Sequence, residues 1–298
     1  MVVILDGKKV RDEIAKTLRA KVEAFSSRPV LAIIQIGNQM ESDVYILRKK
    51  HFAEAIGADV LHLRFAEHTS GKELRTVIEG LNTDHSVHGI LLQLPIPGAL
   101  DRQTLIDAIT PEKDVDGLTA TQRARRLLGE KDAIMPATAR GIVELLECYH
   151  RPIRGQKAAV LGRSALVGAP TAEALRGRGA MVTVCHSKTL HTENITRASD
   201  IIIVAIGKPK FVGSEYFRDD ATQTVVDVGI TALRSGQAVH LEEEIPQTRL
   251  VGDVDFEHVK EMVAAISPVP GGVGPMTVAA LFENLVSAYD IQTKSLNS

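Results

Sequence analysis

Tryptophan is absent from this 298-residue chain, and aromatic residues make up only 4% of it. That leaves little material for a platform on which nucleic-acid bases stack. Neither sign of charge dominates: 35 Lys and Arg stand against 37 Asp and Glu, a net charge of −2. No global basic field exists to draw a nucleic acid. Cysteine occurs only at Cys148 and Cys185, too few for a disulfide framework and wrongly spaced for a metal site, so both are expected to be reduced, buried thiols. The histidines are scattered; His85 and His88 are the closest pair, and no ligand cluster joins them, so no metal is expected. No apolar run reaches the ~18 residues of a membrane span. The N-terminus meets charge at Asp6 and lacks a basic leader, which is not a signal peptide. These absences predict a cytoplasmic protein, or an organelle-matrix one with its leader removed, without nucleic-acid or membrane partners.

What is present is an ordinary globular mixture, 44% hydrophobic and 24% charged, in a length that suits one large domain or two modest ones. Apolar runs alternate with amphipathic stretches. Strands are predicted at 2–5, 30–36, 60–65, 89–94, 157–161, 181–185, 201–205 and 225–228. Helices are predicted at 7–25, 42–56 (Ser42 as N-cap, Gly57 as C-cap), 71–81, 140–149, 170–177 and 276–289, with a frayed polar tail beyond. Strand–helix alternation implies parallel β-α-β units, hence an α/β protein. The Arg-dense segment 117–132 reads as the join between two halves.

After the predicted strand 157–161 comes Gly162-Arg163-Ser164-Ala165-Leu166-Val167-Gly168. Strand, glycine turn and helix together offer backbone N–H groups to a dinucleotide phosphate. The spacing is not the generic G-x-G-x-x-G, and a tight turn without a ligand fits it as well. The next strand ends Cys185-His186-Ser187-Lys188. An NAD site usually places an acid there for the ribose diol. Ser187, Lys188 and Arg163 instead suit a 2′-phosphate, so NADP is favoured over NAD.

Tyr45 and Lys49 are four apart on one helix and share a face. A lysine in this setting can hold or release a proton if burial lowers its pKa; the plain alternative is that Lys49-Lys50 is a solvated pair. Gln93 ends an apolar strand, where open α/β sheets place ligand contacts. Asp114 and Asp116 lie in one turn, as ligand acceptors or as an Asx turn. Ser267-Pro268-Val269-Pro270-Gly271-Gly272-Val273-Gly274-Pro275 allows close backbone approach to a ligand, and equally a hinge.

Taken together, S-x-x-Y-x-x-x-K at 42–49, G-I-L-x-Q-L-P-x-P from Gly89, K-D-V-D-G from Lys113, G-R-S-x-x-V-G-x-P from Gly162, C-H-S at 185–187, D-V-G-I at 227–230, G-D-V at 252–254 and P-V-P-G-G-V-G-P-M-T from Pro268 resemble the bifunctional methylenetetrahydrofolate dehydrogenase/methenyltetrahydrofolate cyclohydrolase family. The resemblance implies two α/β domains around a cleft: a catalytic domain at 1–119 closed by helix 276–298, and a Rossmann-like NADP domain at 120–275. It implies homodimers through the cofactor domains and one-carbon tetrahydrofolate derivatives as substrates. It implies Lys49 as the general acid/base of hydrolysis, Gln93 as its positioner, Tyr45 stacked on the folate and Asp116 accepting from pterin N–H groups. Further folate contacts are implied at Ser42, Leu92, Leu94, Pro270, Gly271, Gly272, Val273 and Gly274. NADP contacts are implied at Gly162, Arg163, Ser164, Ser187 and Ile230.

The chain departs from the family pattern at Glu41, Gln122 (usually Asn), Ala124 (usually Gly), and in Pro136-Ala137-Thr138-Ala139-Arg140-Gly141, where P-C-T-P-x-G is usual. These changes are expected to loosen a turn near the site. They raise one alternative beside the bifunctional enzyme, a dehydrogenase with little hydrolase activity; a ligand-binding regulator without turnover and a shikimate-dehydrogenase-like enzyme of the same two-domain plan are the others.

Overall fold

The structure, a computed structural model, describes residues 2–234 and 248–296. In chain order the elements are β1 (Val3–Ile4), α1 (Gly7–Glu23), β2 (Val30–Ile36), α2 (Met40–Ile56), β3 (Asp59–Phe65), α3 (Gly71–Thr83), β4 (Gly89–Leu92), α4 (Arg102–Ile106), α5 (Ala120–Leu127), α6 (Ala137–Cys148), β5 (Lys157–Leu161), α7 (Gly168–Gly177), β6 (Met181–Cys185), α8 (Thr192–Arg197), β7 (Ile201–Val204), β8 (Thr224–Asp227), β9 (Thr231–Arg234), β10 (Thr248–Val251), α9 (Phe256–Val259), β11 (Ala265–Ile266) and α10 (Val273–Leu296). By its contacts the chain forms two units, one of residues 11–137 with 278–298, the other of residues 1–10 with 138–277.

The first unit has a parallel three-stranded sheet in the order β3-β2-β4. Its central strand reads VLAIIQI because it is covered on both faces. Leu31 and Ile33 pack on one side with Ile46, Phe52, Ile56, Phe282 and Leu285. Ala32, Ile34 and Ile36 pack on the other with Leu74, Ile78, Ile90 and Leu92. The C-terminal stretch of α10 belongs to this core. Its Tyr289 ring stacks on Phe25 at 4.4 Å, and the hydroxyl accepts from the Ser27 N–H at 3.1 Å, which satisfies a buried polar tip.

The second unit has a parallel six-stranded sheet in the order β1-β11-β8-β7-β5-β6. Strand order reverses at β5, which has β6 on one side and β7 on the other. Ligands of open α/β sheets sit outside the carboxyl ends of strands at such a switch point. The antiparallel pair β9–β10 stands apart from this sheet. Among the described residues no helix is long and apolar enough to cross a membrane.

Several expectations change. The division is not at 119/120. The first ten residues belong with the six-stranded sheet because β1 pairs with β11, and Leu5 N–H donates to Ile266 O at 2.9 Å. Residues 120–137 belong with the first unit, and the expected join at 117–132 contains helix α5. Ser42 does not cap α2: the helix starts at Met40, and Asp43 N–H already donates to Gln39 O at 3.1 Å. Gly57 does end α2, in the left-handed region with φ 81°. Cys185 is buried but Cys148 is exposed, because the inward face of α6 carries Leu145 and Leu146. The closing helix runs on to Leu296, through most of the expected tail; residues 297–298 and the Glu41 side chain lie outside the described residues.

Candidate active site

Helix α2 buries Ser42, Ile46, Lys49, Ala53 and Ile56, a spacing of four, three, four and three that draws one stripe along the helix. Lys49 is therefore on the inner face, 8% exposed, while Lys50 points outward. A buried ammonium needs a partner, and Gln93 supplies it. Lys49 Nζ donates to Gln93 Oε1 at 2.6 Å. Gln93 lies just past the C-terminal end of β4. Its Nε2 donates to Leu94 O at 2.8 Å, which fixes the amide with its oxygen toward the lysine. Burial pulls the Lys49 pKa down to about 8, with the Asp116 charge opposing.

The two acids of the 113–117 turn divide their work. Asp114 accepts from the N–H groups of Gly117 at 2.9 Å, Leu118 at 3.2 Å and Thr119 at 2.8 Å, so it is the acid of an Asx-type turn. That leaves Asp116, partly buried, facing the Lys49 side. Burial pushes its pKa up to about 6; the Lys49 charge opposes this and the Asp114 charge adds to it. Lys113 anchors the turn by donating to Leu81 O at 2.9 Å and Asp84 O at 2.7 Å. The turn is not loosened by the Asn-to-Gln departure. Gln122 is fully buried, donates to Pro111 O at 2.7 Å and accepts from Ile134 N–H at 2.9 Å. Ala137 and Ala139 are buried in the first turn of α6.

Tyr45 is partly buried on the same helix face as Lys49, with the Arg48 guanidinium 5.5 Å above its ring. Arg48 escaped the sequence reading, although its position three residues after Tyr45 was a usable signal. The Leu92 side chain points into the core, and the partly buried Leu94 packs against that core. The structure thus brings Tyr45, Lys49, Gln93 and Asp116 together in the first unit.

The second unit holds the remaining candidates. Gly162 follows β5 with φ 115°, and a Cβ there would collide with Ala205 O; only glycine fits. Ser164 Oγ accepts from the N–H groups of Val167 and Gly168 at 3.2 and 3.3 Å, at the start of α7. Leu161 pairs with Cys185, so the segments after β5 and β6 emerge side by side, with Arg163, Ser187 and Lys188 exposed. Ile230 follows β8, and its Cδ1 lies 3.6 Å from the Cβ position of Gly274. In the loop before α10, Gly7 N–H donates to Gly271 O at 2.9 Å, and Gly272 N–H to Pro268 O at 2.8 Å. Residues 270–274 belong by contact to this unit. Among the described residues no group of three His, Cys, Asp or Glu side chains is placed to hold a metal.

Residues 5–116 match the model of the tetrahydrofolate dehydrogenase/cyclohydrolase catalytic domain, and residues 136–293 that of the same family's NAD(P)-binding domain. The chain belongs to the tetrahydrofolate dehydrogenase/cyclohydrolase family. Its sequence is 43% identical to the bifunctional protein FolD of Acholeplasma laidlawii over 293 residues, 98% of this chain and all of that protein. The crystal structure of the FolD dehydrogenase/cyclohydrolase of Campylobacter jejuni is 36% identical, with a TM-score of 0.90 over 98% of this chain and 99% of that one. The Trypanosoma brucei FolD structure, complexed with NADP cofactor and inhibitor, is 33% identical, with a TM-score of 0.90 over 100% of this chain and 99% of that one. Family membership fits both halves of the geometry: a buried lysine with its amide partner in one unit, and a glycine turn at a topological switch point in the other.

Proposed function

We propose that this protein oxidises 5,10-methylenetetrahydrofolate with NADP and hydrolyses the methenyl product to 10-formyltetrahydrofolate. The observation that carries the reading is the 2.6 Å contact between Lys49 and Gln93, both buried, in the unit that also holds Asp116. The NADP preference is supported by the β6 end, where Ser187 and Lys188 stand in place of an acid and Arg163 is adjacent. The turn that would receive the dinucleotide phosphate packs so closely on Ala205 O that only glycine is accommodated at 162. Gly162, Arg163, Ser164, Ser187 and Ile230 would hold it, and bound NADP supplies the hydride acceptor. The family resemblance also supports a cytoplasmic homodimer joined through the cofactor units.

Oxidation leaves a cation shared by two folate nitrogens, so the protein mainly aligns two rings. Tyr45 stacks on the folate, and Asp116 accepts from the pterin amide and amino N–H groups. Hydrolysis needs proton traffic. Neutral Lys49 takes a proton from water as its oxygen bonds to the methenyl carbon; the resulting ammonium gives that proton to the folate nitrogen as the C–N bond breaks, and the remaining hydroxyl proton leaves to solvent as the formyl C=O forms. A pKa near 8 serves both directions.

A pH dependence follows. Because the first step needs neutral Lys49, the hydrolase rate, corrected for buffer, should rise with pH and level off above about 8. Asp116 raises the lysine pKa, so Asp116→Asn should move the midpoint downward. Rate profiles between about pH 6 and 9 check this; hydride transfer should lack the inflexion. The proposal as a whole is tested by incubating purified protein with 5,10-methylenetetrahydrofolate and either NADP or NAD. NADP reduction, with methenyl product that disappears faster than its buffer blank, is expected. Methenyl persisting at the blank rate would leave a dehydrogenase only, and no reduction with either cofactor would refute the assignment.

A further inference from the structure

Two acids take no part in the chemistry above: Asp227, the last residue of β8, in Asp227-Val228-Gly229-Ile230, and Asp253, in Gly252-Asp253-Val254 after β10. The structure folds them into each other. Asp227 accepts from the N–H groups of Gly229 at 3.1 Å, Asp253 at 3.0 Å and Val254 at 2.9 Å. Asp253 Oδ2 accepts from the N–H groups of Ile206 at 2.7 Å and Gly207 at 2.8 Å, just after β7. Both carboxylates are buried, 3% and 0% exposed. A Cβ at Gly252 would strike Asp227 Oδ2, and one at Gly229 the Asp253 carboxyl, so the glycines exist to let the acids in.

Two carboxylates at such close quarters are costly. Burial pushes the Asp227 pKa up to about 7, opposed by its backbone donors and reinforced by Asp253. Asp253 Oδ1 has no hydrogen-bond partner among the described residues. What the pair achieves is geometric: it ties together the segments after β7, β8 and β10. In the sheet order β8-β7-β5-β6, the phosphate turn follows β5 and the 2′-phosphate candidates follow β6. A dinucleotide laid across the switch point therefore sends its other half toward β7 and β8.

We infer that Asp227 and Asp253 are a positioning pair that sets the backbone at 206–207, 228–230 and 252–254 against the nicotinamide half of NADP. The inference rests on the NADP-dependent reading above. Its test uses the full chain and the fact that hydrolysis of methenyltetrahydrofolate consumes no NADP. Asp253→Ala, which strips the acceptor from two amides, should raise the KM for NADP by about tenfold or more, with weaker NADP binding by calorimetry. The hydrolase rate should stay within about threefold of wild type, since Lys49 lies in the other unit. Asp253→Asn keeps an acceptor oxygen and removes the repulsion, so it should restore most of the NADP affinity. If the alanine variant does not fold, Asp253→Ser, too short to serve both amides, takes its place. An unchanged KM for NADP in folded protein, or a parallel loss of both activities, would overturn the inference. Wild-type protein that reduces no NADP would instead refute the proposed function, and the inference with it.

Discussion

Asp116→Asn is expected to lower kcat/KM for both folate reactions by about 10- to 100-fold, equivalent to ~1.4–2.8 kcal/mol. The reasoning starts from the turn. Asp114 spends its oxygens on three backbone N–H groups, which leaves Asp116 as the acid available to a ligand. Charge-assisted bonds from a carboxylate to ring amide and amino donors are about twice as strong as neutral ones. An amide keeps one acceptor, loses the charge, and presents a donor where the ligand also donates. Because both reactions bind the same pterin, both should suffer, mostly through KM. Steady-state kinetics with methylene and methenyl substrates on one preparation checks this. A loss confined to hydrolysis would instead mean that Asp116 acts only through its charge on Lys49.

Lys49→Met is expected to act differently. Methionine matches the length of the lysine stem and fills the buried stripe of α2, so the helix should keep its packing. What disappears is the proton carrier, and general acid–base groups contribute about a hundredfold to ten-thousandfold. Hydrolysis of isolated methenyltetrahydrofolate should fall by that factor toward the buffer rate. Hydride transfer needs ring alignment and no proton from Lys49, so it should remain within about tenfold of wild type. Gln93 Oε1 is left without its donor in this variant, but its Nε2 bond to Leu94 O persists, which confines the disturbance.

Much of this was legible in the sequence where a signal was local. Strands β2, β5 and β6 match their predicted bounds because each is an apolar, β-rich run closed by turn residues. Helices α4 and α8, at five and six residues, are too short to show periodicity. β11, at two residues, exists only because β1 and β8 flank it. The site shows the same division. The Tyr45–Lys49 face and the amide at Gln93 follow from spacing, yet only burial separates a tuned Lys49 from a solvated pair with Lys50. Which acid of the 113–117 turn is structural depends on where three N–H groups point. The Asp227–Asp253 pair joins residues 26 apart through backbone donors, a link that no spacing rule reveals. The Gln122 departure looked like a loss and proved to be a fully bonded brace, because one extra methylene still reaches Pro111 and Ile134.

The central claim is that one buried lysine performs the hydrolytic step and no other. The most direct measurement is a single turnover of Lys49→Met with 5,10-methylenetetrahydrofolate and NADP, following reduced cofactor and methenyl product together. The account predicts one methenyl accumulated for each NADPH formed and persisting at the buffer rate, where wild-type protein clears it. Methenyl cleared by the variant as fast as by wild type would contradict the role given to Lys49.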